Sequence, residues 1–313
     1  MTFSFEIKRE LIETPVESPE CALAELSGII HAGGELGIAS IGYYIEIVSD
    51  NGLIKLRADK LLKKLYGVTG ELRNYEGGLK NQRCVLRVTG EIALRILEDC
   101  GLMRIGEGNL IELVHGIDPY LVSERETIIS YIRGVFLAAG TISVPAGQGN
   151  SKGYHLGITL SNAGFSSDLQ HLLAQCDILA RGIENKGGFT VYLKERGAIS
   201  DMLALMGASR AVLKLNQTII ERQVRNTVNR QTNFTGANLN RSASAAAAQL
   251  DAIKKIEEKA GLDTLPENLR QLAEIRLKYP EYSMAELMEH LPNLTKSGIN
   301  HRFERIIKIA SEL

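Results

Sequence analysis

Four cysteines and six histidines are the side chains best suited to hold a metal or attack a substrate. Cys21, Cys84, Cys100 and Cys176 lie far apart and form no Cys-x-x-Cys pair, the spacing a zinc site or dithiol redox centre needs. They read as buried, reduced thiols. His31 has no second histidine or acid at metal spacing and reads as a packed side chain or one pointing to a sheet. His155 and His171 have no Gly-x-Ser-x-Gly nucleophile nearby. Two glycine-bearing loops, "GGLKNQR" (Gly77–Arg83) and "GQGN" (Gly147–Asn150), lack the strand-to-helix frame of a phosphate loop. The expectation is no metal, no cofactor and no enzyme activity.

Charge offers a different chemistry. The formal net charge is -1, yet between Arg210 and Leu250 the bases Arg210, Lys214, Arg222, Arg225, Arg230 and Arg241 face the single acid Glu221. Such a stretch suits a polyanion contact. A solvated helix and linker would look the same, and charge alone leaves both readings open. A second cluster sits near the C-terminus. At about 100° per residue, Ile299, Phe303, Ile306, Ile307 and Ala310 of "KSGINHRFERIIKIASEL" form one stripe, with His301, Arg305 and Lys308 opposite. Ser297 and Gly298 flank the outward face near the helix start, where a recognition helix meets base edges, and Lys296 and Arg302 lie at the sides for phosphates.

The elements that would position these groups are legible in pattern. The tail from Gln249 is helical: "AAAAQLDAIKKIEEKAG" stops at Gly261, and "PENLRQLAEIRLKYP" opens at Pro266 and closes before Pro280. Two shorter helices follow. Ser283 and Glu286 form a capping box for the first, with Met284, Leu287, Met288 and Leu291 as its apolar side. Thr295 caps the last helix. Ahead of the tail the chain repeats itself. "ELSGIIHAGGELG" and "YIRGVFLAAGTIS" are glycine-bearing helices. The first is followed by the extended "SIGYYIEIVSDNGLIKL", the helical "ADKLLKKLYG", the strand "CVLRVTG" and the helix "EIALRILEDCGLM". The second is followed by the strand "GYHLGITLS", the helix "SSDLQHLLAQCDI", the strand "FTVYLKERG" and the helix "AISDMLALMGAS". The reading is an α+β fold, a duplicated α-β-β-α-β-β-α domain of pseudo-two-fold symmetry, followed by an all-α helix-turn-helix domain. Gly28 with Ala32, and Gly134 with Ala138, are small residues one turn apart, which lets two helices approach closely at the axis. The expected segments are 1–112 (first repeat with an N-terminal extension), 113–209 (second repeat), 210–249 (basic linker) and 250–313 (helical domain, its helix-turn-helix at about 281–311).

"LSGIIHAGG" (Leu26–Gly34) and "IRGVFLAAG" (Ile132–Gly140) resemble the two signature helices of the LAGLIDADG homing endonucleases, whose saddle-shaped sheets sit on DNA. In that family an acid precedes the closing glycine of each motif and holds the divalent ions for strand cleavage. Gly33 and Ala139 occupy those positions here, and neither binds metal. Glu35 falls two residues late, and Thr141 gives the second half no counterpart. These motifs, together with "VNRQTNFTGAN" (Val228–Asn238) and "LTKSGINHR" (Leu294–Arg302), resemble the WhiA family of bacterial regulators over nearly the whole chain. The resemblance implies a linker site holding Asn229, Arg230, Asn233 and Asn238, with the basic Arg241 beyond it. It also implies a recognition helix over Thr295–Arg305, which adds Asn300 to the candidates.

The implied function is a non-catalytic DNA-binding transcription regulator acting in cell division and chromosome segregation, or in sporulation, in a Gram-positive bacterium. Double-stranded DNA is the expected partner, with RNA polymerase or another regulator as a second one. An active LAGLIDADG endonuclease and a protein-binding scaffold contacting the transcription machinery are the alternatives. "MTFSFEIKRELIE" has no apolar signal core and no run of 18 uncharged apolar residues occurs, so a cytoplasmic, nucleoid-associated protein with no membrane contact is expected.

Overall fold

The structure, a computed structural model, describes residues 2–39, 42–49, 52–77, 81–106, 111–145, 153–185 and 187–313. They fall into two compact units, Met1–Thr218 and Ile219–Leu313.

The first unit opens with α1 (Phe3–Leu11), which the sequence patterns above do not anticipate. One structural module then occurs twice. The first copy is α2 (Pro19–Gly33), β1 (Gly34–Ala39), β2 (Gly42–Ser49), α3 (Leu53–Tyr66), β3 (Glu71–Gly77), β4 (Asn81–Thr89) and α4 (Glu91–Asp99). After the small hairpin β5 (Met103–Ile105) and β6 (Ile111–Leu113) comes the second. It comprises α5 (Arg125–Ala139), β7 (Gly140–Ser143), β8 (His155–Leu160), α6 (Ala163–Gln175), β9 (Arg181–Asn185), β10 (Gly188–Leu193) and α7 (Arg196–Leu205). Both sheets are antiparallel with the same strand order, β1-β2-β4-β3 and β7-β8-β10-β9. The duplicated α-β-β-α-β-β-α expectation holds. One local difference lies at "NGLIKL", expected as extended. Gly52 takes φ +70° and starts α3, because Leu53, Ile54, Ala58, Leu61 and Leu62 are spaced to bury one helical stripe.

α2 and α5 meet at the centre. A Cβ built on Gly28 would lie 2.4 Å from the Tyr131 carbonyl oxygen and 3.0 Å from the Val135 nitrogen. One built on Gly134 would lie 2.2 Å from the Glu25 carbonyl oxygen and 3.0 Å from the Ile29 nitrogen. Each glycine thus faces the partner backbone three residues before and one residue after its counterpart, the signature of two-fold related helices in backbone contact. Beside this contact Glu25, fully buried, accepts from Arg57 Nε (2.5 Å), Arg57 Nη2 (2.8 Å) and Arg133 Nη1 (3.2 Å). Arg57 also donates to the carbonyls of Ile12 and Thr14, and Arg133 to that of Met206. One carboxylate therefore gathers both axis helices, α3, the segment after α1 and the end of α7. Ser4 Oγ, near the start of α1, donates to the Ile142 carbonyl and accepts from its amide (2.9 and 2.8 Å), so the N-terminal extension closes on the second copy.

The helix α8 (Ser209–Lys259) runs on from the first unit, and the whole 210–249 stretch expected as a linker lies within it. Its C-terminal part, a 3-10 turn at Leu262–Thr264, α9 (Glu267–Lys278), α10 (Met284–Glu289) and α11 (Lys296–Glu312) complete the second unit. Ile253, Ile256, Leu269, Leu272, Leu287, Ile299, Phe303 and Ile306 form its core.

Candidate nucleic-acid interface

α11 is placed by its own sequence. Thr295 Oγ1 accepts from the Gly298 amide (3.2 Å), satisfying one of the orphan donors of the first turn. Ile299, Phe303, Ile306 and Ala310, at spacings of four, three and four, are buried against α9 and α10. Ile307, expected in the same stripe, is 39% exposed instead. The core accepts only the narrow row of four, and Ile307 stands beside it. α10 is held by the capping box, with the Ser283 amide donating to Glu286 Oε2 (2.6 Å) and the Glu286 amide to Ser283 Oγ (3.4 Å). Arg276, which sequence pattern does not single out, is the other fastening. It is 2% exposed, donates from Nη1 to the Tyr282 carbonyl (2.6 Å) and lies over the Phe303 ring (5.4 Å), and burial lowers its pKa. It ties the turn between α9 and α10 to the inner face of α11. An arginine on a predicted helix looks like a surface charge, so no local signal marks it.

The outward side of α11 carries Lys296, Ser297, Asn300, His301, Arg305 and Lys308, all exposed, with Gly298 half-buried at its start. Arg302 is turned partly inward and donates to the Asn268 carbonyl (3.2 Å). In α8, Asn229, Arg230, Asn233, Asn238 and Arg241 are exposed, as is Arg225. Arg210 and Lys214 are different. Arg210 pairs with Glu10 and Glu13, and Lys214 with Glu6, all three acids on or just after α1. The basic stretch counted in the sequence therefore begins, for an external polyanion, only beyond Lys214.

At the ends of the axis helices Gly33 and Ala139 close α2 and α5, and a Cβ at Gly33 would lie 3.0 Å from the Cβ of Ala138. Ala32 and Ala138 are half-buried there. Glu35 lies in β1 and not at a helix end, paired in register with Glu46. Among the described residues no group of three or more His, Cys, Asp or Glu could hold a metal ion. His31 Nδ1 is 2.7 Å from the Tyr131 hydroxyl and its ring stacks on Phe165 at 3.7 Å; burial pushes its pKa down to about 4. Cys21, Cys100 and Cys176 are buried free thiols. Gly147–Asn150 and residues 78–80 of the other glycine loop lie outside the described residues, as does the side chain of Cys84. Among the described residues no helix is long and apolar enough to cross a membrane.

Three family models match in chain order. They are the WhiA N-terminal LAGLIDADG-like domain over residues 19–103, the WhiA LAGLIDADG-like domain over 128–225 and the WhiA C-terminal HTH domain over 228–310. The chain is 34% identical over 317 residues to the probable cell division protein WhiA of Clostridium botulinum (strain Hall), covering 100% of this chain and 99% of that protein. It is 34% identical over 316 residues to the protein of the same description from Staphylococcus epidermidis (strain RP62A), covering 100% and 98%. The crystal structure of full-length DUF199/WhiA from Thermatoga maritima superposes with a TM-score of 0.60 at 30% identity, covering 100% of this chain and 99% of that one. With two LAGLIDADG-like halves joined to a helix-turn-helix and relatives matched from end to end, this chain belongs to the WhiA family.

Proposed function

We propose that this protein is a DNA-binding transcription regulator without nuclease activity, acting on the nucleoid in the cytoplasm in the service of cell division. The observation that carries the reading is the exposed face of α11. Lys296, Ser297, Asn300, His301 and Arg305 project from a helix whose opposite side is locked into a four-helix core. A recognition helix needs that division between a fixed inner face and a free outer one. Ser297, Asn300 and His301 supply donors and acceptors for base edges; Lys296, Arg305, Arg230 and Arg241 supply charge for phosphates. Arg302, held by the Asn268 carbonyl, serves the phosphates from the rim. The role in division draws on the relatives' names, probable cell division protein.

Strand cleavage is excluded from the proposal because Gly33 and Ala139 leave the axis without the carboxylate pair that two-metal chemistry needs. Incubating the full-length protein with supercoiled plasmid and magnesium should leave the plasmid intact. Nicking that EDTA abolishes would reverse this part of the reading. Binding to DNA is tested by titration at several salt concentrations: counterion release makes DNA affinity fall steeply with salt, whereas a mainly apolar contact with RNA polymerase or another regulator does not weaken in that way.

A further inference from the structure

The starts of α2 and α5 line one groove of about 580 Å³, at the end of the axis pair opposite Gly33 and Ala139. Leu23 of α2 and Leu121, both half-buried, give it an apolar lining. Tyr120 stands in the same groove with 89% of its surface exposed, more than any other large apolar side chain among the described residues. The turn that carries it is fastened. The Tyr120 amide donates to Asp118 Oδ1 (3.0 Å), the Leu121 amide to the Asp118 carbonyl (3.2 Å) and the Val122 amide to the Pro119 carbonyl (3.4 Å). Just ahead of it the Ile117 amide donates to Asp168 Oδ2 on α6 (3.0 Å). A ring held out by a fixed turn loses little conformational freedom when a partner covers it, which is one reason tyrosine is enriched at protein interfaces.

Glu17, Glu20, Glu124 and Glu126 line the same groove and all are exposed. Among the described residues no Lys, Arg or His lines it. Lys64 approaches from α3, but its ammonium goes to the Val16 carbonyl (3.1 Å). Glu20 and Glu126 are equivalent in the duplication, each the second residue of its axis helix. Acids at helix starts favour the helix dipole, and capping explains part of the cluster. Ser18 Oγ accepts from the Cys21 amide (3.2 Å), and Glu124 and Thr127 form a reciprocal box on α5. Capping gives no reason for Leu23, Leu121 and Tyr120 to open on the same groove.

Charge selects the occupant. DNA, RNA and anionic lipid meet like charge here, and a second copy of this face would set acid against acid. A protein segment carrying Lys or Arg around an apolar anchor fits both the lining and the rim. We propose that the groove at the start of α2 and α5 docks a basic, apolar-anchored segment of another protein, with Tyr120 as the central contact and the four glutamates as the complementary rim. The site uses no residue assigned to DNA, so it adds a partner surface to the regulator and does not depend on the reading of α11.

The test uses the full-length protein and a displayed library of random twelve-residue peptides. Peptides selected by the parent are synthesised and titrated against the parent, Tyr120→Ala and the double variant Glu20→Gln with Glu126→Gln. The selected peptides should be enriched in Lys and Arg around an apolar residue. Tyr120→Ala should weaken the tightest of them about tenfold to a hundredfold, as loss of an interface anchor does. The double variant should weaken the same peptide and reduce its salt dependence. Both variants should keep the parent's melting temperature and its affinity for random duplex DNA, because the altered side chains are exposed and outside the DNA-binding residues. Peptides with no basic excess, affinities that both variants leave unchanged, or a parent that selects no peptide would each overturn the inference. So would a random-duplex affinity that falls in Tyr120→Ala, which places nucleic acid in the groove, or a parent dimer that Tyr120→Ala dissociates, which places a second copy there.

Discussion

At the scale of single residues, the environment of each group decides its role more than its type does. His31 is a potential ligand by chemistry, but stacked on Phe165 and bonded to Tyr131 it is a neutral packing residue. Its pKa, lowered to about 4 from 6.5 chiefly by burial, makes the sign plain. The unfolded chain takes up the proton first, so the stabilising contribution of neutral His31 is complete above pH 6.5 and is lost as pH falls from 6.5 towards 4. Urea unfolding at pH 7 and pH 4.5 should lose up to about 3 kcal/mol more for the parent than for His31→Gln. Equal losses would mean that His31 is charged in the fold. On α11, His301→Ala or Ser297→Ala should relax sequence preference at a cost of about 1 to 3 kcal/mol with little change in salt slope. Arg230→Ala or Arg241→Ala should weaken binding to every sequence alike and shallow the slope by about one unit. Binding curves on a selected and a random duplex distinguish the two classes.

At the scale of elements, the axis pair α2 and α5 depends on two missing side chains. Alanine is a better helix former than glycine by about 1 kcal/mol, so a Gly134→Ala change in an isolated helix would stabilise. Here its Cβ would meet the Glu25 carbonyl at 2.2 Å, backbone that has no rotamer to retreat into. Gly134→Ala should therefore lower the melting temperature, and Gly134→Leu should destabilise by about 3 kcal/mol or more as the helices are forced apart. A melting temperature unmoved by leucine would contradict the backbone contact. The buried Glu25 lies in the same contact, and Arg57 and Arg133 both depend on it.

At the scale of the whole molecule, near neutrality and DNA affinity are compatible because the charges are sorted. The acids Glu6, Glu10 and Glu13 neutralise Arg210 and Lys214, whereas Arg225, Arg230, Arg241, Lys296, Arg305 and Lys308 are exposed, with Glu304 the acid beside Arg305 and Lys308 on α11. If most of these six reach phosphates, the logarithm of affinity should fall against the logarithm of salt with a slope of about -3 to -5, at roughly 0.9 per phosphate. A slope shallower than about -1 would mean that the exposed cations do not meet DNA together.

The sequence alone determined what is local or repeated. Helix boundaries at Ser283, Thr295 and Gly261 follow from capping and backbone freedom within a few residues, and the duplication follows because two copies of one pattern must build the same layers. The loss of acids at Gly33 and Ala139 is equally legible, being a matter of identity at a motif position. Tertiary structure decided what depends on neighbours distant in the chain. No spacing relates Glu25 to Arg57 and Arg133, marks Arg276 as buried, brings α1 to Arg210 and Lys214, or turns Ile307 out of the core. Charge and hydrophobicity are properties of a residue, but pairing and burial are properties of a place, and only folding assigns the place.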